Sequence, residues 1–520
     1  MSNTWNEGYF TEIGYTHGYY RELNPTFQRF CLLLRGFVVL ESENMQHCEL
    51  GFGQGVSINA HAAANSGIFY GTDFSPAQAS QAIELAQASG SGAKLFDDSF
   101  EQLLKRNDLP QFDSISLHGI WTWVSRNNHN VIAEFIRRYL KPGGTLYISY
   151  NCFPGWSPAY PLRQLFALHD RFVRSSSSAE VRVNAALTFS ENLLAAQPSY
   201  LKAVPDLHER LKNITKQGRQ YLAHEYFNQD WNCMYFTEVV DALAQTKLDY
   251  ACSAVPLDVL DSLNLSKDAI DFLESVDHPI LREQSRDYFV NQQFRKDLYV
   301  KGARRLPPGK QKQLFLNMYF VLIQFPKDIP LKITGALGEG TLQEAIYNPI
   351  IATLASNNYA AKTLREILED LTILNYTQAL EAVTVLVNMG AVSPCHTAEP
   401  TIEKYASCNA LNLHLMEKAQ YGNEIELLVS PIVGGGVPVR RFHQLFLLAR
   451  SVGEQAPDAW AEHALKVIAA QGQKILKDGV TLETAEESLD ELILQANEFM
   501  EKQLPILKSL KIAIELPIKD

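Results

Sequence analysis

Residues 48–56 read Cys48-Glu49-Leu50-Gly51-Phe52-Gly53-Gln54-Gly55-Val56. The run 45–50 ahead of the glycines has the character of a short strand, and residues 56–64 behind them that of a helix. Glycines between a strand and a helix let the backbone turn tightly and approach a ligand where side chains would collide. A second run, Gly67-Ile68-Phe69-Tyr70-Gly71-Thr72, ends at Asp73, which stands 22 residues beyond Gly51. An α/β nucleotide fold places a carboxylate for ribose hydroxyls at that distance. A dinucleotide fingerprint, G-x-G-x-x-G, would need glycine at position 56, and Val56 stands there. What remains is G-x-G-x-G with Glu49 two residues ahead of it.

Outward from the motif, residues 46–150 alternate strands and helices, which implies a parallel sheet with helices on its faces. Ser75-Pro76 opens a second helix running to about residue 88. Residues 93–96 form a third strand, closing at Asp97-Asp98-Ser99-Phe100. An acid there can accept the adenine amino group. Residues 112–118 form a fourth strand ending at His118, and Leu140-Lys141-Pro142-Gly143-Gly144 reads as a tight turn before a fifth, 145–150. Ligands of such sheets bind at the carboxyl ends of the strands, where Glu49, Asp73, Asp98, His118 and Tyr150 all fall. Upstream, Tyr9, Phe10, Tyr15, Tyr19 and Tyr20 suit either a lid over a ligand or ordinary packing. Asn24-Pro25 starts a helix that ends before Gly36.

The order E-L-G-F-G-Q-G, G-T-D-F-S, D-D-S-F, L-H-G-I-W-T-W, K-P-G-G and S-Y-N-C-F-P-G-W resembles a bacterial class I S-adenosylmethionine-dependent methyltransferase family with a methyltransferase regulatory domain. That family includes lysine methyltransferases of outer-membrane proteins. The likeness covers residues 1 to about 165 and continues in Tyr221-Leu222-Ala223-His224-Glu225-Tyr226-Phe227 and Tyr288-Phe289-Val290-Asn291. The segment Tyr15-Thr16-His17-Gly18-Tyr19-Tyr20 departs from the lysine-modifying members, which leaves the acceptor open. The resemblance implies S-adenosylmethionine as cofactor and S-adenosylhomocysteine as product. It puts Tyr15, Tyr19, Glu49, Gly51, Gly53, Gly55, Asp73, Phe74, Asp98, Ser99, Phe100, His118 and Gly119 on the cofactor. Tyr150, Asn151 and His118 face the substrate, before Pro154-Gly155-Trp156. Asn151 can accept a hydrogen bond from an amine and aim its lone pair. Methyl transfer needs alignment and exclusion of water, and no metal.

The bulk properties bound these expectations. A chain of 520 residues should divide into roughly three or four domains. Its formal net charge of −12 leaves no basic excess for phosphates, so no nucleic-acid partner is expected. Seven scattered cysteines without a C-x-x-C pair indicate neither disulfides nor zinc, and free thiols fit a cytoplasmic protein. No signal peptide or membrane span is indicated.

Four divisions are expected. The cofactor domain with its N-terminal lid covers 1–174, and a helical connector covers 175–218, opening with serines at 175–178. The regulatory domain covers 219–303. After the linker Arg304-Arg305-Leu306-Pro307-Pro308-Gly309, the region 310–520 is mainly helical. Helices over 341–355, 363–371 and 376–388 followed by a strand at 391–393 suggest a winged-helix-like module for protein contact or packing. Residues from about 305 onward are expected to be separable and to contribute nothing to the cofactor site. Gly434-Gly435-Gly436 reads as a plain loop. The acceptor is a protein lysine on the resemblance; a small metabolite, or a silent cofactor-binding regulator, are the alternatives. A homodimer is compatible with all three.

Overall fold

The computed structural model describes residues 16–40, 44–173, 178–228, 230–371, 373–395 and 399–513. Tyr9, Phe10, Tyr15 and the serines at 175–177 lie outside the described residues. Helix α1 (Pro25–Leu34) starts where Asn24 accepts a hydrogen bond from the Thr26 amide and Pro25 fills the first turn. The alternating region follows as β1 (Gln46–Leu50), α2 (Val56–Ala64), β2 (Ile68–Thr72), α3 (Pro76–Ser89) and β3 (Lys94–Phe96). It continues as α4 (Phe100–Lys105), β4 (Phe112–Leu117), α5 (Arg126–Tyr139) and β5 (Leu140–Asn151). The expected turn over Leu140–Gly144 is instead the start of β5, bulged so that Phe112 faces Leu140 while Ser114 faces Thr145.

A helical excursion comes next: α6 (Tyr160–Phe172), α7 (Ala179–Ala195), α8 (Tyr200–Ala203), α9 (Leu207–Thr215), α10 (Arg219–Phe227) and α11 (Phe236–Leu243). The chain then returns with β6 (Leu248–Ser253), α12 (Asp261–Asn264), α13 (Lys267–Ser275), α14 (Pro279–Phe289) and β7 (Phe294–Lys301). One seven-stranded sheet results, in the order β3-β2-β1-β4-β5-β7-β6. Strands β1 to β5 are parallel, and β7 runs antiparallel between β5 and β6. The sheet therefore crosses the boundaries expected at 174 and 218: residues 248–301 supply its last two strands.

Residues beyond 304 are built into the same molecule. Every residue of α2 is buried, as a helix reading Val-Ser-Ile-Asn-Ala-His-Ala-Ala-Ala without a polar stripe requires. Ile58 and Ala62 pack with Phe52 and Phe69. Val56, Ala60, Ala63 and Ala64 pack with Leu411, Leu415, Leu428 and Val429 of the C-terminal region. Phe30 of α1 meets Phe315 and Phe320 edge-on. The expected linker is pinned as well: the Val38 amide donates to Arg304 O (2.9 Å) and the Leu306 amide to Gly36 O (2.8 Å). The separable C-terminal unit is thus corrected, because the faces it would leave exposed are core. Among its elements, helices Glu344–Tyr359, Leu364–Asp370 and Tyr376–Asn388 flank a small antiparallel sheet. Its central strand, Tyr319–Leu322, lies between Lys362–Thr363 and Val392–Cys395. No described helix is long and apolar enough to cross a membrane.

Candidate active site

The carboxyl ends of β1, β2, β4 and β5 open onto a cavity of about 450 Å³. Glu49, Gly51, Gly53, Asp73, His118 and Gly119 line it. A smaller cavity of about 80 Å³ adjoins it, with Phe74, Asp98, Ser99 and Phe100 in its wall. Gly51, Asp73, Gln78, Ile120 and Trp123 line both. Gly53 sits at φ +57°, a backbone state that disfavours side chains, and a Cβ there would meet nothing within 4 Å. It faces open space. Gly55, expected on the cofactor, lines neither cavity; it caps α2 against Ala82 of α3.

The two carboxylates are buried and close enough to repel. Amides of Gly53 (2.9 Å) and Ser75 (3.0 Å) donate to Asp73, fixing its carboxylate at the glycine turn. Burial still pushes Asp73 up to about 6. Burial, with the Asp73 charge adding to it, pushes Glu49 up to about 8. A cationic, hydroxyl-bearing ligand would reverse both effects. Asp98 is shared with Arg106, whose guanidinium lies 3.0 Å from it.

His118 is stacked on Tyr20, with ring centroids 3.7 Å apart. Its Nδ1 lies 2.8 Å from the Tyr147 hydroxyl, and burial pulls its pKa down to about 3, which keeps it neutral. Neighbouring residues of a strand point to opposite faces, and this separates the expected pair Tyr150 and Asn151. Asn151 lines the cavity, and its Oδ1 accepts from Trp156 Nε1 at 3.0 Å. Tyr150 is fully buried on the other face, where its hydroxyl donates to Asp297 at 2.8 Å. Asp297 belongs to a charge cluster around Arg295, with Glu283 and Asp287. Tyr150 is therefore a structural residue and not a substrate-facing one.

Tyr20 faces the cavity, and Tyr19 turns away from it. The Tyr19 hydroxyl lies 3.2 Å from His61 Nε2 of α2, and its ring lies against Gly435 and Gly436. A Cβ on Gly435 would fall 2.3 Å from the Tyr19 hydroxyl. The glycine run read as a plain loop is the point where the C-terminal region grips the N-terminal segment. Asn24 and Asn65 complete the grip, donating to Gly434 O at 3.2 and 2.6 Å.

Other cavity residues escaped the sequence reading. Phe294 opens β7 and Gln293 immediately precedes it, and His224 and Glu225 come from α10. The stretches holding His224 and Glu225 stood out only as family likeness, since nothing local says that α10 folds back over the carboxyl end of β5.

Comparison with known proteins settles the family. Residues 48–144 match the family model described as a methyltransferase domain, and residues 218–301 match that of a predicted methyltransferase regulatory domain. An uncharacterized protein of Synechocystis, sll1526, is 38% identical over 98% of this chain and 100% of its own length. The chain belongs to the class I S-adenosylmethionine-dependent methyltransferases with a regulatory domain. The methyltransferase is also 26% identical to RP789 of Rickettsia prowazekii, over 56% of this chain and 52% of the relative. Its fold matches that of PKMT2 from Rickettsia typhi in complex with AdoHcy, with a TM-score of 0.67 at 17% identity. That match covers 94% of the methyltransferase and all of PKMT2. The part matched as regulatory supplies strands β6 and β7 and a wall of the active-site cavity.

Proposed function

We propose that this methyltransferase transfers the methyl group of S-adenosylmethionine to a lysine amine of a protein. The observation that carries the reading is the join between two cavities. The 450 Å³ cavity opens, past Trp156, Tyr221, Glu225 and Gln293, into an outer groove of about 730 Å³ between α9, α10 and the start of β7. A donor held inside is reached by an acceptor entering from outside. Its volume can accept a side chain carried by a larger molecule. The neighbour PKMT2, solved with AdoHcy, supports the ligand assignment.

Within the inner cavity, Asp73 would take the ribose hydroxyls, and Glu49 the ammonium of the methionine part. Phe74, Asp98, Ser99 and Phe100 would surround the adenine. The room in front of Gly53 suits a close-lying ligand, and a Glu49 carboxyl held protonated by burial suits one whose positive charge favours the ionised form. The bound sulfonium supplies an electrophilic methyl carbon. The protein's own residues align the acceptor and exclude water: Tyr20 and His118 close one side, and Trp156 and Asn151 the other. Aromatic faces also favour a cation on its way in. We read the C-terminal three helices and their small sheet as a winged-helix-like unit that packs against α1.

Incubation with methyl-labelled cofactor and a bacterial protein extract, followed by digestion, tests the reading. Label on lysine is expected. Label confined to small molecules would replace it with metabolite methylation.

A further inference from the structure

Four residues line both the inner cavity and the outer groove: Trp156, Tyr221, Glu225 and Gln293. An acceptor that enters through the groove meets this shared wall before it meets the methyl donor. Glu225 is the only carboxylate of the four. From these positions we propose that Glu225 is the catalytic base of this enzyme, receiving the acceptor's ammonium group and taking its proton. The assignment rests on the protein-amine reading above.

Apart from Tyr221, no other acid or base among the described residues lining the inner cavity also lines the outer groove. Glu49 and Asp73 sit at the glycine turn, and Asp73 accepts from two backbone amides. His118 is stacked under Tyr20 with its Nδ1 against Tyr147, and does not line the outer groove. His224 also lines the inner cavity alone. Glu225 is half-buried in α10, and its carboxyl accepts a hydrogen bond from the Tyr221 hydroxyl one turn earlier.

The charged and titratable groups facing Glu225 are Arg163 from α6 and Tyr221 and Tyr226 on its own helix. Arg210 of α9 lines the outer groove, its guanidinium 5.2 Å from the centroid of the Trp156 ring. Burial raises the Glu225 carboxyl to about 7, against the opposing pull of Arg163 and Tyr221. A base raised to that value changes its protonation near neutral pH, and its conjugate acid releases the proton readily. In the step, an N–H bond of the ammonium breaks and an O–H bond forms on Glu225. The freed nitrogen pair then bonds to the methyl carbon while the C–S bond breaks and its electrons stay on sulfur. The proton leaves Glu225 for water in the outer groove.

The test uses the full chain, with poly-L-lysine and bacterial extract protein as acceptors. Glu225→Gln should lower kcat by about 100-fold or more and abolish the rise of kcat/KM with pH near neutrality. Its affinity for S-adenosylhomocysteine should stay within about threefold of wild type, as a base outside cofactor binding requires. With S-adenosylhomocysteine bound, calorimetry should show poly-L-lysine binding weakened about tenfold. Tyr221→Phe should move the pH limb upward, because the lost hydrogen bond had stabilised the carboxylate. This second variant carries the test if Glu225→Gln fails to bind cofactor. Wild-type kcat and an unmoved pH limb in the variants overturn the Glu225 assignment while lysine labelling by wild type upholds the proposed function. Absence of lysine label from the wild-type enzyme overturns both.

Discussion

Glu49 and Asp73 show how one cavity makes two carboxyls wait for a ligand. Both are raised, to about 8 and about 6, chiefly by burial. A carboxyl raised by folding holds its proton more tightly in the folded state than in the unfolded chain. Its stabilising contribution is complete below the unfolded value and is lost as pH rises through the folded one. The ligand-free protein should therefore lose Tm between pH 6 and 8.5. S-adenosylmethionine, which carries positive charge, favours ionised Glu49. Its Tm increment should be larger at pH 8.5 than at 6.5, and Glu49→Gln should flatten that difference in a thermal-shift titration. An increment that shrinks with pH would place Glu49 away from the ligand's charge. Tyr150 makes the opposite case. Tyr150→Phe removes one buried hydrogen bond to Asp297, costing about 0.5–1.5 kcal/mol in urea unfolding. Calorimetry should find affinity for S-adenosylhomocysteine unchanged, since the hydroxyl lies on the far face of β5.

The segment ahead of α1 takes its place from contacts at the other end of the chain. Tyr20 donates its amide to Ser57 of α2 (2.9 Å) and lays its ring on His118. Tyr19 is held on the opposite side by Gly435 and Gly436. Glu22 pairs with Lys296 of β7 at 2.6 Å, and Arg21 donates to Val387 O at 2.7 Å. This strap sets one wall of the cofactor cavity. Gly435→Val drives a side chain into the Tyr19 hydroxyl and should cost about 1–3 kcal/mol. The affinity for S-adenosylhomocysteine should fall with it, because displacing Tyr19 displaces Tyr20. Lost stability with unchanged affinity would show that Tyr20 keeps its place without the glycine loop.

Among the described residues, the two largest cores each join residues from the first 64 of the chain to residues beyond 304. Val56, Ala60 and Ala63 share one with Leu428, Val429 and Phe446. Phe27, Phe30 and Leu33 share the other with Phe315, Phe320 and Leu386. A protein ending at residue 304 would expose one side of α1 and of α2, apolar surface with no replacement partner. It should lack a cooperative urea transition and bind no S-adenosylhomocysteine by calorimetry. A truncated chain that unfolds cooperatively and binds would show that the cofactor domain folds alone.

The local code was enough for the cofactor half of the sheet and for its ligand class. Strand, glycine turn, helix, strand and acid follow one another within 28 residues, from Gln46 to Asp73, and Val56 alone rules out the dinucleotide pattern. The carboxyl-end positions of Glu49, Asp73 and His118 follow from the same reading, because strand ends are set by short-range pattern. Whether a side chain at such an end reaches the ligand is decided by distant contacts. Tyr19 and Tyr20 are adjacent and chemically identical, and partners far away in sequence, His61 and Gly435 for one and His118 for the other, send one outward and the other in. Asn151 and Tyr150 are divided by pleat alternation once β7 supplies Arg295 and Asp297 on the far face. Glu225 joins the site because Leu222, Ala223 and Tyr226 pack α10 against Leu162 and Phe166 of α6 and Val183 and Leu187 of α7, beside the cavity. Those outcomes depend on which surfaces are left to bury, and that is a property of the assembled tertiary structure.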